Sequence, residues 1–155
     1  MFEVLMFLFE NYMESNIVLK ANSSDIAVEL ERIGFERHEI DRALDWLDGL
    51  IEIQTAVSSL PGVSKHALRY YSQEECELIS VEARGFLIYL EQANILDPIT
   101  REVVIDRIMA LDVREIDLPR VRWVVLMALF NQPEKKSALS LLQDMILADA
   151  FDVLH

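Results

Sequence analysis

The sequence predicts a mainly α protein. A winged-helix-like N-terminal part, three helices plus a small β-hairpin, spans residues 1–75. A C-terminal helical bundle follows over residues 76–155 and shares a core with the first part. Three observations lead there. Apolar residues recur at helical spacing through most of the chain. Residues 50–71 break that rhythm, with β-branched side chains in partial alternation on either side of Pro61-Gly62. With 155 residues, 52 % of them hydrophobic, the chain has the material for a sizeable core, as one domain or two small ones.

The elements can be taken in order. Residues 2–14 read as an amphipathic helix with Phe2, Leu5, Met6, Phe9 and Met13 on one face. Asn22-Ser23-Ser24-Asp25 is rich in capping side chains, and a second helix follows with Ile26, Leu30 and Ile33 inward. Gly34 ends it, because a residue without a Cβ suits the left-handed cap. A third helix runs from about Glu36 to Asp48, with Ile40, Ala43, Leu44, Leu47, Leu50 and Ile51 as its buried stripe. Leu50 to Val57 then reads as a strand, Ser58 to Lys65 as a turn, and Ala67 to Tyr71 as a second strand. Three helices, strand, turn, strand is the winged-helix order. A ubiquitin-associated-type three-helix fold also places a Gly-Phe ahead of an Ala-Leu, as Gly34-Phe35 and Ala43-Leu44 stand here.

From Ser72 onward the chain is helical again. Ser72 with Glu75 fits a capping box around a short helix at Cys76. Ser80 caps the next, lined by Ala83, Phe86, Leu87, Leu90 and Ala93 and closed by Asn94. Asp97-Pro98 opens another, since proline at the first helical position loses no hydrogen bond. The helix after Asp117-Leu118-Pro119 is apolar on nearly every side from Trp123 to Phe130, the mark of a central, buried helix. Gln132-Pro133 begins the last, with Ala138, Leu141, Leu142, Met145 and Ile146 inward.

Three blocks carry a family resemblance: MFEVLMFLFENY at the start, RGFLIYLEQANILDPITREVVIDRIMAL in the middle and DLPRVRWVVLMALFNQP near the end. Together they resemble the bacterial Smg family over essentially the whole chain. The resemblance implies a small bacterial cytoplasmic protein without an assigned activity, and it brings no catalytic or ligand residues to this numbering.

Charge and cysteine content narrow the function classes. There are 14 basic and 27 acidic residues, a formal −13, and residues 1–60 alone hold 12 acids against 4 bases. Binding to a nucleic-acid duplex needs Lys and Arg to neutralise phosphates, so this balance disfavours it. A single cysteine, Cys76, excludes an intramolecular disulfide and fits a reducing cytoplasm. The opening MFEVLMFLF lacks a basic region ahead of it and a cleavage site behind it. The apolar run Trp123–Phe130 falls far short of the ~20 residues a membrane span needs. Neither export nor membrane insertion is expected.

Chemical motifs are sought without success. Glu-x-x-His pairs for a di-iron bundle are missing, the one near match being Asp152 and His155 at the end of the sequence. His66, Cys76 and the acids Glu74, Glu75 and Glu77 lie close together but without recognised zinc spacing. Cys76 stands among three carboxylates, an environment that opposes the thiolate a nucleophile needs. The four glycines are scattered singly, so no phosphate-cradling loop exists. No catalytic residue, metal or cofactor is expected.

What remains is the third helix. Its outward positions include Glu39, Asp41, Asp45 and Asp48, the three aspartates stacking at i, i+4 and i+7. The expectation is a non-enzymatic protein-interaction or regulatory module whose docking face is Glu39, Asp41, Asp45 and Asp48 and whose partner is a protein with a basic surface. Arg120 and Arg122, beside Trp123, are candidates for a secondary rim. The alternative is a weak nucleic-acid-binding regulator acting through the winged-helix part.

Overall fold

A computed structural model describes residues 1–12, 23–59, 69–130 and 139–145. Among these residues the chain is all-helical: α1 (Phe2–Tyr12), α2 (Ser23–Ile33), α3 (Arg37–Val57), α4 (Gln73–Leu78), α5 (Val81–Gln92), α6 (Pro98–Met109), α7 (Leu118–Phe130) and a helical stretch over 139–145. The chain packs as two units, Met1–Thr55 and Ala56–His155.

The first unit draws its core from three helices. Val4, Leu5 and Leu8 of α1, Ile26, Ala27 and Leu30 of α2, and Ile40, Ala43, Trp46, Leu47 and Leu50 of α3 are buried. In α1 the buried centre is one step round from the predicted stripe, and Phe2, Met6 and Phe9 are only half-buried. A helix apolar on most sides does not by itself declare which side goes in. Phe7 meets Phe35 edge to face, with ring centroids 5.6 Å apart. The α2 terminus closes as the sequence predicts. Gly34 takes φ +117°, its N–H reaches the Glu31 carbonyl, and the Phe35 N–H reaches the Leu30 carbonyl at 3.1 Å. These are the two bonds of a Schellman cap. Ile33, expected inward, is the last residue of α2 and is 48 % exposed.

The winged-helix reading is overturned. No strand occurs among the described residues, and the predicted first strand is the end of α3, which runs unbroken to Val57. Exposure confirms the helical period: Leu50 is buried, Ile51, Ile53, Gln54 and Val57 are half-buried, and Glu52, Thr55 and Ala56 are exposed. Strict strand alternation would have treated Ile51, Ile53, Thr55 and Val57 alike. Adding residues to an existing helix is far easier than starting one, so the β-branched residues are carried along. Of the predicted second strand, Arg69–Tyr71 are described and are not strand, and the Pro61-Gly62 turn lies outside the described residues.

The second unit is built on α7. Val121 and every residue from Val124 to Leu129 are at most 2 % exposed, as a helix without a polar face requires. It packs on α5 and α6, which also pack on each other. Leu87 and Leu90 of α5 and Val103, Val104, Ile105 and Ile108 of α6 are buried. Ile79 and Ile116, just ahead of α5 and α7, form one isolated parallel bridge. There the Ile116 N–H donates to the Leu78 carbonyl at 2.8 Å and the Ser80 N–H donates to the Ile116 carbonyl at 3.1 Å. This satisfies both backbone groups of Ile116, which has no exposed surface. The caps form as read: Ser80 accepts from Ala83 N–H, Asp97 accepts from Thr100 N–H with Pro98 opening α6, and Asn94 closes α5 at φ 57°. In the stretch 139–145, Leu142 is buried, whereas Leu141, expected inward, is 56 % exposed.

Two substitutions test these assignments. Thr55→Ala is expected to raise stability by about 0.5 kcal/mol in chemical denaturation, alanine being the better helix former; a loss would indicate the strand preference of threonine instead. Gly34→Ala should lower the denaturation midpoint by an amount equivalent to roughly 1–2 kcal/mol, since no L side chain is comfortable at that φ. An unchanged midpoint would show that the cap contributes little.

Candidate functional site

Two groups of ionisable side chains stand out, one in each unit, and they are organised differently. In the second unit the group is a cluster of guanidiniums and carboxylates paired with one another. The Arg69 guanidinium donates two bonds of 2.7 Å to the Glu75 carboxylate and one of 2.6 Å to Glu102. Glu102 also accepts from Arg101 at 3.1 Å, and Arg101 donates at 2.9 Å to Glu91 of α5. Arg101 is only 5 % exposed, so these partners are what allow a guanidinium to be buried there. Glu75 does a second job. Its side chain accepts from the Ser72 N–H at 2.9 Å while its own N–H donates to the Ser72 hydroxyl, completing the predicted capping box of α4. The Arg69 hydrogen bond, aided by the Ser72 N–H and opposed by burial, holds the Glu75 carboxyl below the usual carboxylate range.

Tyr71 lies under the Arg69 guanidinium, 5.1 Å from ring centre to carbon. Burial, then the charge of Glu91, pushes its phenol up. Cys76 is a free thiol, half-buried, and its sulfur accepts from Arg84 at 3.2 Å. The sequence reading had set only the three neighbouring acids against Cys76. It missed this cation because Arg84 comes from the next helix. Among the described residues no three His, Cys, Asp or Glu side chains gather as a metal would require, and His66 lies outside those residues. Arg120 pairs with Asp117 at 2.9 Å in the first turn of α7, and Arg122 sits 5.5 Å from the Phe86 ring of α5. The first contact is local to the start of α7, and the second reaches α5.

In the first unit, helical geometry brings Asp41, Asp45 and Asp48 to one face of α3 and sends Glu39 to the opposite side. The Glu39 carboxylate lies 3.4 Å from the Met1 amine. Asp41 is paired as well: Arg37 donates to it at 3.1 Å and to Glu31 of α2 at 2.9 Å. Those bonds, Glu31 first and then Asp41, raise the Arg37 pKa. Asp45 and Asp48 are exposed and make no ion pair among the described residues.

Continuing α3 as a helix adds one residue that the strand assignment concealed. Glu52 stands four residues after Asp48 on the same stripe and is exposed, likewise without an ion pair among the described residues. The signal was present, since 41, 45, 48 and 52 keep helical spacing. The anionic stretch therefore runs through Asp45, Asp48 and Glu52 toward the C-terminal end of α3. The helix dipole is negative at that end, and the last turn carries no basic residue.

Comparison with known proteins gives a family and no activity. A family described as a protein of unknown function (DUF494) matches residues 1–155. A "Protein Smg homolog" of Nitrosococcus oceani is 39 % identical over 153 residues, 99 % of this chain and 96 % of the relative. One from Shewanella piezotolerans is 43 % identical over 158 residues, 100 % and 99 % of the two chains. Another, from Shewanella sp. strain ANA-3, is 44 % identical over 147 residues, 94 % and 93 %. No solved structure matches.

The Glu75 geometry sets a pH dependence. A carboxyl held low in the folded state stabilises the fold above its unfolded pKa, about 4.3. That contribution is lost as pH falls toward the folded value. At pH 7, Glu75→Gln should be less stable than the parent by on the order of 1–2 kcal/mol, having lost the charge-assisted pair with Arg69 while its amide oxygen still accepts from the Ser72 N–H. The gap should close on acidification below about pH 4. Urea midpoints measured from pH 3 to 7 check it, and a gap constant across that range would show that Glu75 does not act through its charge.

Proposed function

The chain belongs to the Smg family, and from that premise we propose that it is a non-enzymatic interaction module that docks a basic surface of a partner protein on the carboxylates of α3. The observation that carries this reading is the exposed run of Asp45, Asp48 and Glu52, which makes no ion pair among the described residues, with Asp41 at its N-terminal end. Like charges three and four residues apart cost a free helix about 0.2–0.5 kcal/mol per pair. Lysines or arginines of a partner would relieve that repulsion and form charge-assisted bonds. Glu39, named with the aspartates from the sequence, lies on the other side of the helix and has no part in this face.

The non-enzymatic element of the reading draws support from the second unit, where Arg69, Glu75, Glu102, Arg101 and Glu91 are occupied in mutual pairing. The single cysteine fits action in the reducing cytoplasm. No helix among the described residues is long and apolar enough to cross a membrane. The nucleic-acid alternative depended on a winged-helix part, and no strand of such a part occurs among the described residues.

The triple variant Asp45→Lys, Asp48→Lys, Glu52→Lys is the test. Its thermal midpoint should match the parent's within a few degrees, because the replaced side chains hold no partner among the described residues. Crosslinked capture from nuclease-treated bacterial lysate should lose the basic proteins that the parent retains, and the parent's own capture should weaken as salt rises. Recovery of the same partners by the reversed variant would refute the docking face.

A further inference from the structure

We draw no further inference here: the strongest candidate, the exposed apolar face of α5 formed by Val81, Ile88 and Tyr89 around Gly85, carries none because nothing in the structure shows what covers it.

Discussion

A helix with no polar side has to be enclosed, and in the second unit α7 imposes that condition on everything around it. From Val124 to Leu129 it offers water almost nothing. Burying a large aliphatic side chain is worth about 1.5–3 kcal/mol, so leaving such a helix uncovered would outweigh any other local preference. Helices α5 and α6 supply the cover through Leu87, Leu90, Val103, Val104, Ile105 and Ile108. The short parallel bridge between Ile79 and Ile116 belongs to the same solution. Bringing two chain segments into a dry interior obliges their N–H and carbonyl groups to find each other.

The charged layer of that unit follows from the packing. Once α6 lies against α5 and α7, Arg101 cannot reach bulk water, and Glu91 and Glu102 hold it. Glu102 in turn takes Arg69, which grips Glu75 at the start of α4. Within that cluster the two guanidiniums and the three carboxylates answer one another. The hydrophobic stripe of α3 faces the core of the first unit, while Asp45, Asp48 and Glu52 are exposed, with Arg42 one turn ahead of Asp45. With 12 acids against 4 bases in the first sixty residues, the bases there are too few to pair with every carboxylate. The helix phase then gathers three of the carboxylates on one line.

Much of this was legible beforehand, and the legible part has a common character. Gly34 and Asn94 as helix ends, Ser80 and Asp97 as starts, and the Ser72–Glu75 box all form as read. The family was legible too, in three long blocks of sequence, and a full-length match bears it out. The hairpin was the failure, and with it Glu52 was overlooked. Ile51, Ile53, Thr55 and Val57 satisfy a period of two as well as many true strands do. Leu47, Leu50, Ile51, Gln54 and Val57 satisfy the helical period at the same time. Eight residues of such a pattern are compatible with both.

The sequence by itself determined the stops at Gly34 and Asn94, the starts at Ser72, Ser80 and Asp97, the all-round apolar character of α7 and the excess of acid, because each depends on groups within about four residues of one another or on composition alone. Only the tertiary structure decided which side of α1 is buried, that α3 continues to Val57, and that Arg69 and Arg101 pair with Glu75, Glu91 and Glu102 while Asp45, Asp48 and Glu52 make no ion pair among the described residues. Those outcomes turn on contacts between separate segments of the chain. Such contacts come into being only when the helices pack.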